Sequence, residues 1–283
     1  MKVLAVVLGV AVAATLASAE QPQASVLEEV KSSKTLRIGY REDAPPFSFK
    51  NDIGEAAGYT VELCRQVAAG IGQLHQIEGL VVDYVPVTAA DRFAAVTEGK
   101  IHLLCGATTQ TLARREIVSF SLPTFIDGAS VLFRADGPKS FPEMAGQTIG
   151  VLGNTTTEKG LSNTLEREGM QADVVAVNSH EEGFDRLVAG DISAYFADRA
   201  ILAYMLQHSD QAANLHLSNR FFSHEPFALA LPRGDEDFRL AVDRVLSYLY
   251  KSGRIGDVFK ATFPNAQPTD ILKALYLING LPN

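Results

Sequence analysis

Thr109 and Arg114 are the first pair of residues in this chain whose types and spacing suggest chemistry. They lie in the run from Cys105 to Ser121, CGATTQTLARREIVSFS, where a short apolar strand (IHLLC) leads into small and hydroxyl residues, an arginine pair and a second apolar stretch. A hydroxyl and a guanidinium brought together on a loop suit a planar carboxylate, held by a two-pronged donor and a helper hydroxyl. The plainer reading is a solvated loop carrying a surface arginine.

Two further places invite the same question. The loop from Gly153 to Glu158 (GNTTTE) follows a strand and opens a helix. Its Thr/Glu pattern is good N-capping chemistry, and the free N–H groups of a helix start also attract anions; both readings can hold. Asp198 closes the strand ISAYFA and precedes a helix. It is either an N-cap or a carboxylate at the carboxyl end of a parallel strand, the edge where such sheets bind ligands.

Several motifs are missing. No serine sits in a G-x-S-x-G turn, and His180-Glu181 and His224-Glu225 lack the second histidine of a zinc-protease helix. Gly99-Lys100 is followed by Ile and has no earlier glycine at phosphate-loop spacing. None of the six histidines is spaced as a metal ligand to either cysteine. No metal and no cofactor is expected.

The elements that must position these residues alternate. Leu36, Ile38 and Tyr40 mark a strand that Ala44-Pro45-Pro46 breaks; Tyr59, Leu63 and Val67 mark a helix expected to stop at Gly70. Residues 80–87 read as a strand, 90–97 as a helix and 101–105 as a strand. A second set follows: strands at 148–152, 173–177 and 192–197, with helices at 156–168, 180–189 and 199–208. This β-α alternation implies parallel sheets covered by helices. Residues 127–134 (DGASVLFR) and 227–231 (FALAL) are candidate crossing strands between two lobes. Helices after Phe238 and Ile255 should pack back on the first lobe, and Leu272, Leu275 and Tyr276 form a last apolar stripe. Two lobes joined by two crossings enclose a cleft, a common site for small ligands.

The N-terminus reads as a signal peptide, residues 1–19. Lys2 begins it, an apolar run follows, and Ala17-Ser18-Ala19 fits the cleavage rule. No cysteine follows the site, so no lipid anchor is expected, and no later segment looks membrane-spanning. The formal net charge of −8, without a basic run, argues against nucleic acid and against an anionic membrane surface. Cys64 and Cys105 are either one disulfide or two buried thiols.

The set LRIGYREDAPPFSF, GYTVELCRQVA, CGATTQTLARREIVSFS, GVLGNTTTE and GDISAYFADRA resembles the family-3 bacterial extracellular solute-binding proteins, the polar amino-acid receptors of ABC importers. The likeness runs from about Leu36 to Pro264 and is nearest to the glutamate/aspartate-binding members. It implies a type II periplasmic-binding fold: lobe 1 from residues 20–129 and 229–283, lobe 2 from 130–228, in a periplasmic monomer that hands its ligand to the importer's membrane subunits. Position by position, it implies that Arg114 holds the ligand α-carboxylate, helped by Thr109 and the Ala107 backbone. Thr155 and Thr156 donate from the second lobe, and Asp198 receives the α-ammonium. Arg41, with Arg92 and His180, resembles the contacts to a side-chain carboxylate. Ala89 and Ala107 depart from the pattern, because small hydroxyls are expected there; each loss is worth about 0.5–1.5 kcal/mol.

On this reading Arg41 decides the subgroup. A desolvated charge left unpaired costs on the order of 2–5 kcal/mol, so glutamate should outcompete glutamine by roughly 30- to several-thousand-fold. For Arg92 the plainer reading is a surface salt bridge to Asp91 or Glu98, and for His180 a helix-start residue. Two other functions stay open: a cyclohexadienyl/arogenate dehydratase-like enzyme using Glu181 or Glu182 as a general acid, and a detached sensory domain.

Overall fold

The computed structural model describes residues 25–282, so the expected signal peptide lies outside the described residues. Helix α1 (Val26–Ser33) leads into β1 (Thr35–Arg41). A small antiparallel sheet follows, of β2 (Asp43–Ala44), β3 (Ser48–Lys50) and β4 (Ala56–Ala57). Then come α2 (Tyr59–Leu74), β5 (Val81–Val87), α3 (Arg92–Thr97), β6 (Leu103–Cys105), the single turn α4 (Leu112–Arg115) and β7 (Ser119–Asp127).

The second lobe holds β8 (Ala129–Arg134), β9 (Thr148–Leu152), α5 (Thr156–Arg167), β10 (Asp173–Val177), α6 (His180–Ala189), β11 (Ala194–Asp198), α7 (Arg199–Gln207) and β12 (Leu215–Leu217). The chain returns through β13 (Glu225–Leu231) and ends in α8 (Glu236–Lys251), α9 (Ile255–Thr262) and α10 (Asp270–Asn279).

Each lobe has a five-stranded sheet, ordered β5-β1-β6-β13-β7 in the first and β10-β9-β11-β8-β12 in the second. Three strands at one side of each sheet are parallel, and their carboxyl ends are in step. Arg41 pairs with Val87, and Tyr40 with Cys105; Val177 pairs with Leu152, and Phe196 with Val151. The loops that leave those ends therefore emerge together.

Alternation along the strands places apolar side chains on both faces of the second sheet. Val131 and Phe133 join one buried cluster and Leu132 the other. The first lobe has a larger core, in which Phe47, Tyr59, Phe125, Phe227 and Phe263 pack edge to face, tilted or stacked. Helices α8, α9 and α10 bury their apolar stripes in that same core, as their spacing predicts. Cys64 and Cys105 form a disulfide that ties α2 to the end of β6, with Cα atoms 6.4 Å apart and both residues fully buried.

Two expectations change. Helix α2 runs past Gly70 to Leu74. The glycine is there for close approach to α8: a Cβ would stand 2.5 Å from Val245 Cγ2. The expected crossing strand 127–134 divides at Gly128, with Asp127 in the first sheet and Ala129 in the second. Backbone pairing of β13 with β7 begins at Glu225 opposite Asp127.

Candidate functional site

All nine expected contact residues, Arg41, Arg92, Ala107, Thr109, Arg114, Thr155, Thr156, His180 and Asp198, line one narrow gap between the lobes. They follow the carboxyl ends of the parallel strands. Hydrogen bonds that cross this gap include Arg92 Nη2 donating to Asn154 O at 3.3 Å, a bond shared by the Thr109 and Thr156 hydroxyls at 3.2 Å, and His180 N–H donating to Asp43 Oδ2 at 3.2 Å.

In the first lobe, α3 opens on a reciprocal cap between Thr88 and Asp91. That turn points Arg92 inward, where it is 2 % exposed. Its Nη1 donates to Ala89 O at 2.6 Å, and Nε is buried without a partner. No salt bridge to Asp91, Glu98 or any other carboxylate forms among the described residues, so the surface reading fails. Burial, with Arg114 and Arg41 nearby, pulls the Arg92 pKa down to about 9.

Arg114 is held by the α4 cap, in which its N–H donates to Thr111 Oγ1 at 3.1 Å. Its Nη1 donates to the carbonyl of Thr109, 2.7 Å away, and not to the hydroxyl. Arg115, its neighbour, is exposed. The guanidinium carbons of Arg92 and Arg114 both sit over the Phe93 ring, at 4.9 and 5.0 Å, a cation–π arrangement that fixes the two arginines relative to each other. Burial lowers the Arg114 pKa, opposed by Glu225 and Asp198.

Arg41 corrects the sequence reading. It lines the gap, but Asp43 already neutralises it: Nε donates to Asp43 Oδ1 at 2.7 Å, and Nη2 lies 2.6 Å from the same oxygen. The assignment of a ligand carboxylate to Arg41 therefore loses its physical basis. The signal was available in the run YRED, since residues two apart on an extended chain face the same side.

In the second lobe, Thr155 is the N-cap of α5. Its hydroxyl accepts from Glu158 N at 3.1 Å and donates to Leu152 O at 2.7 Å, so it is fully engaged. What the turn offers the gap is the unpaired N–H groups of its first residues and the Thr156 hydroxyl, which donates to Glu225 Oε2 at 2.9 Å. His180 begins α6, and Tyr195 OH meets its Nδ1 at 2.9 Å. Gly183, one turn on, leaves room for the Tyr195 ring, which a Cβ would strike. Burial and Arg41 push His180 down to about 3, so the ring is neutral. Helix-start residue and gap-lining residue are both correct descriptions of it.

Asp198 sits at the N-cap position of α7 but makes no capping bond, and its Oδ1 is buried without a partner. Burial raises its pKa well above the usual value, helped by Asp127 and Glu225. Asp127 and Glu225 face each other across β7 and β13, and burial pushes Asp127 up to about 6. The sequence reading missed both, because their convergence depends on strand pairing, and it missed Phe93 because a lone aromatic on a helix reads as core.

The gap thus holds an unpaired guanidinium, a second guanidinium with donors left over and an unpaired carboxylate. That set is suited to a zwitterion with a further negative group. A wider groove, lined by Pro46, Phe49, Glu62, Tyr204, Arg254 and Asp257 among others, contains no buried polar atom without a partner. Among the described residues no group of His, Cys, Asp and Glu is arranged to hold a metal, and no helix is long and apolar enough to cross a membrane.

The chain is similar to proteins of this kind. The glutamate/aspartate import solute-binding protein of Salmonella typhimurium is 26 % identical over 263 residues, covering 89 % of this chain and 87 % of that protein. An ancestral arginine-binding protein bound to glutamine superposes with a TM-score of 0.72 at 26 % identity, covering 81 % of this chain and 98 % of the other. An ancestral amino acid-binding protein, described as a precursor of cyclohexadienyl dehydratase, gives 0.73 at 27 %, covering 85 % and 100 %. Residues 36–265 match the bacterial extracellular solute-binding proteins, family 3, and the chain belongs to that family.

Proposed function

We propose that this protein captures an amino acid with a carboxylate side chain, glutamate, aspartate or a close relative, in the periplasm and delivers it to an ABC importer. Arg114 takes the α-carboxylate, helped by Thr109, the Ala107 backbone and the start of α5. Asp198 takes the ammonium group. Arg92, and not Arg41, meets the distal carboxylate, beside the neutral His180 ring.

The observation that carries this reading is Arg92: a guanidinium 2 % exposed, with an unpartnered Nε and hydrogen bonds to carbonyl oxygens alone. An anionic ligand group would supply the missing partner. The relative from Salmonella typhimurium, whose name states glutamate and aspartate import, agrees with it. The arginine-binding relative warns that the distal end varies within this fold.

Calorimetry on unfolded and refolded, ligand-free protein tests the proposal. Glutamate or aspartate should bind at least tenfold more tightly than glutamine, about 1.4 kcal/mol, and Arg92→Gln should abolish the preference. Equal affinities in the wild type would remove the acidic assignment.

The dehydratase-like alternative is favoured only by the third similarity above. Its expected acids do not line the gap: Glu181 is exposed, and Glu182 accepts from Asn178 N–H at 2.8 Å. Turnover of prephenate or arogenate would revive it.

A further inference from the structure

Asp43 is the one acidic side chain among the described residues that touches both lobes at the distal end of the gap. One oxygen faces Arg41, with Nε at 2.7 Å and Nη2 at 2.6 Å. The other accepts the His180 backbone N–H from the opposite lobe at 3.2 Å. Arg41 is held in place from behind: Ser48 Oγ accepts its N–H at 2.8 Å and donates to its carbonyl at 3.1 Å. Its Nη2 is buried and, although close to Asp43, has no aligned hydrogen bond. Arg41 thus lines the gap while its charge is cancelled.

A ligand anion approaching Arg41 would meet the Asp43 carboxylate at the same place. Burial raises the Asp43 pKa, but Arg41 and the His180 N–H outweigh it and hold it below the usual carboxylate value. The group is therefore charged at neutral pH and repels a second carboxylate. Selectivity is a difference between affinities, and a repulsive element contributes to it as much as an attractive one.

We propose that Asp43 is a specificity-determining residue: a resident carboxylate that occupies the anion position at Arg41 and leaves Arg92 as the single guanidinium open to a ligand side chain. This rests on, and refines, the acidic-ligand reading above. The distal end then accepts one negative group at Arg92, and a second guanidinium becomes available only when position 43 is neutral.

The test is Asp43→Asn, which keeps an oxygen for the His180 N–H and removes the charge. Dissociation constants for glutamate and glutamine are measured by calorimetry on ligand-stripped wild type and variant, with circular dichroism to check folding. The glutamate-to-glutamine affinity ratio should rise at least tenfold over wild type, with glutamine affinity little changed. Adding Arg41→Gln to Asp43→Asn should return the ratio to the wild-type value, a reversal that a merely structural role for Asp43 would not produce. An unchanged or smaller ratio in folded Asp43→Asn overturns the proposal; Asp43→Ser gives the same readout if the first variant misfolds. A wild type that does not favour glutamate would instead sink the acidic-receptor reading. A ratio that still rose in Asp43→Asn would then leave the masking of Arg41 standing.

Discussion

Both sheets aim the carboxyl ends of three parallel strands at the gap, but different chemistry follows those ends. In the second lobe each strand runs straight into a helix of 12, 10 or 9 residues that begins at the gap. Their first-turn N–H groups and dipoles favour negative charge without any charged side chain. In the first lobe the helices that follow β5 and β6 have only 6 and 4 residues, too short to offer much of a dipole, and the 16-residue α2 that follows β1 contributes no residue to the gap lining. There the positive character comes from Arg41, Arg92 and Arg114. The lobe with strong helix starts can therefore place an acid, Asp198, in the gap, while the lobe without them carries the guanidinium groups. One fold motif thus serves anion recognition in two ways, and the ammonium end of a zwitterion finds its partner in the lobe whose anion contacts need no side-chain charge.

The largest break in this comparison should come from Asp198→Ala. It removes the one acidic side chain among the described residues that lines the gap in the second lobe and leaves a ligand ammonium unpaired, at a cost on the order of 2–5 kcal/mol. Calorimetry should register a loss of roughly 30-fold or more; wild-type affinity would end the role assigned to Asp198.

A smaller effect concerns the carboxylates between the lobes. The Asp127 pKa is raised to about 6 by burial, so the folded chain binds this proton more firmly than the unfolded chain. The stability it contributes is whole below the ordinary aspartate value and is lost as pH rises through about 6. Asp127→Asn should thus be more stable than wild type at pH 7, on the order of 1–2 kcal/mol, and flatter between about pH 4 and 6. Denaturant titrations across that range measure it, and parallel curves for the two proteins would contradict the sign.

The smallest pair separates two neighbouring hydroxyls. Thr155→Ala removes a cap and should lower stability by about 1 kcal/mol while leaving affinity near wild type. Thr156→Val should do the reverse, weakening binding by roughly 0.5–1.5 kcal/mol. Unfolding midpoints and binding isotherms on both variants would show the two effects merging if Thr155 also serves the ligand through its hydroxyl.

Much of the fold is legible in the order of residues. The strands at 148–152 and 173–177 and the helix at 180–189 stand where their patterns predict, because alternation and capping are local properties. The helix expected to stop at Gly70 is the instructive exception. A glycine reads locally as a terminator, and only the neighbouring α8 makes it a point of contact. The site is legible in a similar, partial way. Position at a strand end brought nine residues to one gap, whereas the partners of their charges were hidden.

Residue order alone determined the β-α alternation, the caps that aim Arg92 and Arg114 inward, and the placement of Asp198 at a strand end. These depend on contacts within a few residues. Tertiary structure decided that Cys64 bonds Cys105 and that Asp43 neutralises Arg41 while Arg92 stays unpaired. Charges act over a few ångströms in space, and which groups come that close is fixed only when two sheets and their crossings have closed on each other.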